Sequence, residues 1–251
     1  MVEYQIKMLK MGTLYGEKSS LTMGIDFGVP IPIPMWSAAI EGNGHKIVVD
    51  TGIKSLEWTK ENLGDQYEVE QESDETMEAA LEHIGWKPEE VDIVINTHLH
   101  YDHCGSNYLF KNAKFYLQSS EWDYAFQPVK NQECFYYEEL FGWQAVRYTS
   151  WKMLSGEYQI LPGLRVIPLG GHSVGGQGVF VNTKEGIVCL AMDAVGLYEN
   201  LENNILPNIM TNVEDGFKAF DIIRNNSDFV IPGHDTCINK YQSSNFPVVN
   251  K

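Results

Sequence analysis

Four potential metal ligands lie close together in the segment THLHYDHCG, residues 97–105: His98, His100, Asp102 and His103. The apolar, β-branched run VDIVIN just before this segment predicts a buried strand. Side chains two apart in an extended segment share a face, so His98 and His100 can reach one point beyond the strand. If the chain then turns into a helix, Asp102 and His103 reach a second point nearby. The segment therefore predicts ligands for two adjacent ions.

Three further candidate ligands follow apolar runs that predict strands. His172 follows RVIPLGG, Asp193 follows IVCLAM, and His234 follows DFVIPG. The carboxyl ends of strands in α/β proteins are where active sites gather. A single histidine at such a place is more often a hydrogen-bonded structural residue. Four strand ends that all finish in His or Asp instead favour one shared site.

Nitrogen and carboxylate ligands without a thiolate suit Zn²⁺, and also Fe²⁺, Mn²⁺ or Co²⁺. The seven residues are too many for one tetrahedral ion, and they predict two divalent ions that share a carboxylate. We assign His98, His100 and His172 to the first ion, Asp102, His103 and His234 to the second, and Asp193 to the bridge between them. Such a pair, about 4 Å apart, holds a hydroxide and lowers the pKa of water from about 15.7 toward roughly 7.

Asp50, which follows the apolar run KIVV, has two interpretations. Its carboxylate could orient a metal-binding imidazole through the second ring N–H, or it could serve only the turn at Asp50-Thr51-Gly52. The cysteines are widely spaced and form no C-x-x-C pair, which argues against a zinc knuckle and a disulfide framework. We expect Cys104 and Cys237 to be small buried residues.

Composition limits the partners and the compartment. The 251 residues are 43% hydrophobic and carry a formal net charge of -16, which repels nucleic acid and anionic membranes. The N-terminal MVEYQIKMLKMGTL alternates like a strand rather than a signal peptide, and no uncharged apolar run could span a bilayer. We therefore expect a cytoplasmic protein, either a monomer or a homodimer.

The predicted elements place the motifs on an α/β sandwich rather than a doubly wound sheet. Residues 35–52 predict a hairpin turning at Gly42-Asn43-Gly44. Residues 73–86 predict a helix capped by Ser73, and residues 113–126 predict a strand and then a helix capped by Ser119 or Ser120. VEDGFKAFDIIRNN, residues 213–226, predicts an amphipathic helix. Strands alternate with helices in the middle and at the end, and hairpins dominate elsewhere.

The H-x-H-x-D-H string, followed in order by His172, Asp193 and His234, resembles the metallo-β-lactamase superfamily. The resemblance implies an αβ/βα four-layer sandwich and a single hydrolase domain over residues 1–251. PMWSAAIEGNGHKIVVDTGI, GEYQILPGLRVIPLGGHSVGGQGVFV, MDAVGLYENLENNILPN and PGHD are most similar to the N-acyl homoserine lactonases. This likeness implies a quorum-quenching lactonase that acts on a small cyclic ester.

The lactonases carry a tyrosine three residues after the bridging aspartate, where this chain has Gly196. Tyr198 and Tyr101 are the nearby hydroxyls that could replace it as donors to the developing oxyanion. In the mechanism that we predict, the bridging hydroxide attacks the carbonyl carbon. Asp102 then passes a proton to the leaving alkoxide as general acid.

Two aromatic stretches are candidates for the pocket wall or the core: Met35-Trp36 and residues 135–151. Several other functions stay open. A thioesterase of the glyoxalase II type shares all seven ligands, but its basic C-terminal helical region contrasts with the short tail DTCINKYQSSNFPVVNK here. An iron-dependent sulfur dioxygenase would use one ion and redox chemistry. A nuclease or phosphodiesterase is disfavoured by the acidity, and a non-catalytic metal-binding protein has no obvious use for open coordination.

Overall fold

Two β-sheets face each other in the computed structural model, which describes residues 2–64, 68–147 and 149–242. The last nine residues of the predicted short tail lie outside this description. The first sheet has the strand order β4-β1-β2-β3-β5-β6-β7. Its strands are β1 Gln5–Glu17, β2 Pro30–Gly42, β3 His45–Val49, β4 Glu68–Glu70, β5 Ile93–Ile95, β6 Lys114–Gln118 and β7 Ser150–Leu154.

The second sheet has the strand order β12-β11-β10-β9-β8. Antiparallel pairs join β8 to β9, β9 to β10 and β10 to β11, whereas β11 and β12 run parallel. As a result β9, β11 and β12 all point the same way and end at one edge. The strands are β8 Tyr158–Leu161, β9 Leu164–Pro168, β10 Gln177–Thr183, β11 Gly186–Met192 and β12 Phe229–Pro232.

Helices cover the outer face of each sheet. The outer face of the first sheet packs against helices through a core that includes Trp58, Leu81 and Trp122. The outer face of the second sheet packs mainly against α8. The helices are α1 Leu56–Leu63, α2 Met77–His83, α3 Tyr101–Cys104, α4 Ser119–Ala125, α5 Glu138–Phe141, α6 Trp143–Val146, α7 Tyr198–Asn203 and α8 Val213–Asn226. The predicted four-layer αβ/βα sandwich is confirmed.

Alternation along the strands builds the layers. In β10, Val179 and Val181 enter the core between the sheets, while Phe180 enters the core beneath α8. Ile93 and Ile95 of β5 likewise face the second sheet. A period of two is what a strand buried on both faces requires. The apolar runs that precede the candidate ligands are therefore the innermost parts of the fold.

Several local predictions are confirmed and others are wrong. The 35–52 hairpin, the helix over 213–226 and the buried Cys104 are confirmed. The predicted caps are wrong: α2 begins after Thr76, whose hydroxyl accepts from the Ala79 N–H, rather than after Ser73. The helix α4 follows directly on the extended Gln118 and has no side-chain cap, so neither Ser119 nor Ser120 caps it.

Cys237, predicted to be buried, is exposed. It lies in the 3-10 turn Thr236–Tyr241, which buries Ile238 and Tyr241 instead. All four cysteines are free, as their spacing predicted. Among the described residues, no helix combines the length and the apolarity that crossing a bilayer requires.

Packing between the sheets predicts a stability difference between two valines. Val179 in the central strand β10 is fully buried, whereas Val129 is 52% exposed. We expect Val179→Ala to lower the free energy of unfolding by roughly 2 kcal/mol, because two buried carbons are lost and a cavity is left. Val129→Ala should change it by less than about 0.5 kcal/mol. Urea unfolding of both variants measures the difference, and equal costs would contradict the buried position of β10.

Candidate metal centre

The seven predicted ligands lie together at the strand ends, although they come from distant parts of the chain. They follow β5, β9, β11 and β12, and Tyr101–Cys104 forms the short helix α3 that the motif predicted. They fall into two groups, in each of which one ligand atom per residue lies within 4.8 Å of the others: His98, His100, His172 and Asp193, and then Asp102, His103 and His234. The structure thus brings every member of the predicted set into one centre.

Asp193 contacts both groups. Its Oδ1 lies 3.1 Å from His103 Nε2, and its Oδ2 lies 3.0 Å from His234 Nε2. The same Oδ2 lies 3.4 Å from His172 Nε2 and 3.9 Å from His98 Nε2. A carboxylate in this position has one oxygen or the other within reach of four imidazoles. A carboxylate that is shared by two cations needs a position of this kind.

In four of the clustered histidines, the Nδ1 atom contacts an oxygen atom of another residue. The Nδ1 atoms of His172 and His234 lie 2.8 Å from the Ile209 carbonyl oxygen and 3.0 Å from the Pro34 carbonyl oxygen. A carbonyl only accepts, so each Nδ1 carries a proton and each Nε2 is directed at the centre; in the neutral His172 this Nε2 presents a lone pair. Such anchoring fixes the tautomer and the orientation of a metal-binding histidine.

Asp50 anchors two of the ligands through one carboxylate. It is fully buried, and its Oδ2 lies 2.7 Å from His103 Nδ1. The same oxygen accepts from the Thr97 hydroxyl at 2.6 Å, and that hydroxyl lies 3.1 Å from His98 Nδ1. Of the two interpretations of Asp50, the orientation of a metal-binding imidazole is the one that the structure supports.

The polar atoms at the centre fit a bound cation. His98 Nε2 is buried and has no hydrogen-bond partner within the described ranges. His172 Nε2 and His100 Nδ1 face each other at 3.1 Å, and the first of these nitrogens carries no proton. A buried nitrogen without a partner costs about 1–3 kcal/mol. His98 Nε2, His172 Nε2 and the Asp193 carboxylate lie close to one point. Divalent transition metals prefer such nitrogen and carboxylate donors.

The charges of the centre are strongly coupled. Burial opposes charge on both Asp193 and His103, but their mutual attraction holds the pKa of Asp193 well below its usual range and raises that of His103 well above it. Burial and the neighbouring imidazoles lower the pKa of His98 and of His100 far below the ordinary histidine value. The first group therefore presents neutral imidazoles, the form in which histidine binds a metal.

Two buried residues that support the centre were not predicted from the sequence. Glu121, in the first turn of α4, accepts from the backbone N–H groups of Leu99 and Gly175 at 3.0 Å each. Gln132 is buried beside His100 and raises the pKa of that imidazole against the effect of burial. Neither residue belongs to a motif, and both lie among other polar residues in the sequence, so no local signal set them apart.

A cavity of about 210 Å³ opens onto the centre. Met35 and Phe135 line it, as the pocket-wall hypothesis proposed, whereas Trp36 points into the core between the sheets. The remaining lining residues are Leu14, Ser20, Leu21, Ile33, Asn62, Leu63, His100, Tyr101, Asp102, Cys134, Tyr137, His172, Asp193, Pro207, Ile209 and His234. The wall is thus mostly apolar, with the polar groups gathered around the ligands.

The two candidate tyrosines occupy different places. Tyr101 lines the cavity at the centre. Tyr198 lines a neighbouring cavity on another side of His234, and its buried hydroxyl has no hydrogen-bond partner in the described part of the chain. A Cβ at Gly196 would lie 3.0 Å from Leu21 Cδ2. Leu21 therefore lies next to Gly196, the position at which the lactonases are expected to have a tyrosine.

The depressed pKa values predict how the metal-free protein responds to acid. In the folded protein His98 and His100 stay neutral, whereas in the unfolded chain both bind protons near a pKa of about 6.5. Stability contributed by such groups is present above the unfolded pKa and is lost as the pH falls below it. At pH values about one unit or more below 6.5, each histidine adds a slope of about 1.4 kcal/mol per pH unit. His103 adds none in this range, because its raised pKa keeps it protonated in both states.

Urea unfolding of chelator-treated protein between about pH 4.5 and pH 5.5 measures this slope. We expect His100→Asn to reduce it by about 1.4 kcal/mol per pH unit. An unaltered slope in His100→Asn would show that this imidazole is not held neutral.

The family model described as metallo-beta-lactamase superfamily matches residues 32–234. An N-acyl homoserine lactonase of Bacillus cereus is 29% identical over 197 residues, which covers 75% of each chain. The N-acyl homoserine lactonase AttM of Agrobacterium fabrum is 27% identical over 257 residues and covers 94% of each.

A solved structure of an N-acyl homoserine lactone hydrolase, with the product N-hexanoyl-L-homoserine at its catalytic metal centre, superposes with a TM-score of 0.82. It is 24% identical and covers 96% of each chain, so the likeness shows a common fold. The matched family model spans the strands and loops that carry all seven clustered residues. This chain belongs to the metallo-β-lactamase superfamily.

Proposed function

We propose that this protein is a dinuclear metal-dependent hydrolase that opens a lactone or a similar cyclic ester. The observation that carries the proposal is the position of Asp193, whose two oxygens reach histidines of both groups. His98, His100 and His172 would hold the first divalent ion, and Asp102, His103 and His234 the second. Zn²⁺ is the first candidate for both, because the ligands are imidazoles and carboxylates with no thiolate.

Two bound cations would supply a bridging hydroxide as nucleophile and Lewis acidity for the carbonyl oxygen. The protein's own residues then orient the ester and handle the proton. Asp102 lines the cavity, and its Oδ2 lies 3.6 Å from His103 Nε2. From there its carboxylate can accept the proton of the hydroxyl that has added to the carbonyl carbon. As general acid it would then pass this proton to the alkoxide that leaves when the ring opens.

Tyr101 is the better placed of the two tyrosines for the developing oxyanion. It borders the same cavity as Asp102 and Asp193, whereas Tyr198 belongs to the neighbouring cavity. A phenolic O–H directed at the carbonyl oxygen would stabilise the negative charge that forms during attack. We therefore assign this role to Tyr101 and leave Tyr198 as the alternative.

The cavity wall indicates the substrate class. Of the described residues that line it, none is Lys or Arg, so a phosphate group would find no cationic side chain. Leu14, Leu63 and Phe135 instead offer apolar surface for an acyl chain or an aromatic substituent. Together with the curated lactonases that the chain resembles, this favours N-acyl homoserine lactones as the first substrates to test.

Loss of the shared carboxylate should abolish hydrolysis. We expect Asp193→Asn and His103→Ala each to lower kcat/KM on a lactone by at least about 10³-fold, because the activated nucleophile is lost. The assay is lactone ring opening with defined zinc, and circular dichroism checks that each variant is folded. Asp221→Asn, on the exposed side of α8, serves as the matched control and should retain full activity.

The same assay separates the competing functions. Thioesters and phosphodiesters are offered alongside lactones, and the metal content and oxygen uptake are measured. Turnover of a thioester in preference to every lactone would favour the thioesterase alternative. Iron content with oxygen consumption would replace hydrolysis by dioxygenase chemistry.

The tyrosine assignment has its own test. We expect Tyr101→Phe to lower kcat on the order of 10²-fold with little change in KM, because the oxyanion exists only near the transition state. Tyr198→Phe should have a much smaller effect, since that residue borders the other cavity. The reverse ranking of the two variants would assign the role to Tyr198.

A further inference from the structure

We propose that Glu121 is a positioning residue that holds the histidines of the first ion in place; this rests on the proposed two-ion centre. Glu121 is fully buried and lies behind the ligands, in α4. It does not line the cavity, so it is not offered as a catalytic residue. Glu121 would instead fix the relative positions of the histidines in the first ligand group.

Several donors converge on this one carboxylate. Oε1 accepts from the Leu99 backbone N–H at 3.0 Å and from the Tyr136 hydroxyl at 2.9 Å. Oε2 accepts from the Gly175 backbone N–H at 3.0 Å. Only a carboxylate can accept from all of these groups, because it has two oxygens and no proton to place.

Each donor belongs to a segment that carries or contacts a ligand of the first group. Leu99 lies between His98 and His100, so its N–H fixes the backbone of both. Gly175 belongs to the turn that follows His172. The Tyr136 ring packs against the His100 ring with centroids 4.7 Å apart. One side chain therefore joins the three segments that set the positions of His98, His100 and His172.

The turn after His172 is built for close contact with Glu121. A Cβ at Gly175 would lie 2.2 Å from the Glu121 backbone nitrogen and 2.5 Å from its Cβ. Only glycine lets the two backbones approach so closely. The turn is thus pressed against the start of α4, and the Glu121 side chain then closes the contact with the Gly175 N–H.

The second ligand group is anchored elsewhere. Asp50 holds His103, and the Pro34 carbonyl holds His234. In the described part of the chain, the hydrogen bonds of the Glu121 carboxylate go to Leu99, Tyr136 and Gly175 and not to the second ligand group. A defect at Glu121 should therefore weaken the first ion selectively, whereas a defect at Asp50 should weaken both ions, because Asp50 also supports His98 through Thr97.

The test is zinc affinity, measured by competition with a chromophoric chelator. Glutamine keeps the size of Glu121 but turns an N–H₂ toward donor groups. We expect Glu121→Gln to weaken one of two zinc equivalents by about 10–100-fold and to leave the other within about 3-fold. Asp50→Asn loosens His103 and, through Thr97, His98, so it should weaken both equivalents. Cobalt substitution provides a second readout, because only the spectrum of the first site should change in Glu121→Gln.

Controls separate positioning from general destabilisation. Glu75→Gln alters another buried carboxylate, which pairs with Lys10 far from the ligands, and both equivalents should bind normally. Tyr136→Phe removes a single donor and keeps the carboxylate, so it remains informative if Glu121→Gln does not fold. It should weaken the same equivalent as Glu121→Gln, by less.

Two results would overturn the proposal for Glu121: normal binding of both equivalents in folded Glu121→Gln, or equal weakening of both. Failure of the proposed function would give a different result in the zinc titration. In that case the unaltered protein itself would bind fewer than two equivalents of zinc, before any substitution at Glu121 is made.

Discussion

A buried carboxylate surrounded by imidazoles is the interaction on which the rest of this structure depends. Asp193 lies at the end of β11, where its oxygens meet histidines from three other segments. A charged carboxylate removed from water is costly unless opposite charge surrounds it. His103 and His234 provide part of that charge, and divalent cations would provide the rest. The strands must therefore end where these groups can meet.

The sandwich supplies this meeting point through the direction of its strands. The strands β9, β11 and β12 end at one edge of the second sheet, and β3 and β5 run parallel in the first sheet. Backbone carbonyls from remote segments then fix the rings, as Pro34 and Ile209 do for His234 and His172. Because these anchors belong to different layers, the geometry of the centre and the integrity of the fold are linked.

Around the centre, two buried carboxylates divide the support between them. Asp50 serves His103 directly and His98 through Thr97, while Glu121 ties together the backbone on both sides of the first group. The cavity in front is mostly apolar. Hydrogen-bonded carboxylates therefore lie behind the ligands, and apolar side chains lie in front of them. It is an arrangement suited to an ester whose ring is polar and whose substituent is not.

The sequence by itself determined the ligand set and the layers. Strand ends and the period of two are local properties, so His98, His172, Asp193 and His234 could be placed at strand ends without knowledge of the fold. The hairpin and the helix over 213–226 followed from turn residues and amphipathicity for the same reason. The cap of α4 was predicted wrongly. The extended Gln118 at the end of β6 directly precedes the helix, so Ser119 is already its first residue.

Only the tertiary structure decided which groups meet across long stretches of chain. Asp50 and His103 are 53 residues apart, and Glu121 and Gly175 are 54 apart, so no local pattern links them. The same holds for the two tyrosines, which are assigned to different cavities by the packing around His234 rather than by their distance along the sequence. Residue types and local spacing specify which groups can bind a metal, but the packing of the layers fixes their distances and their partners.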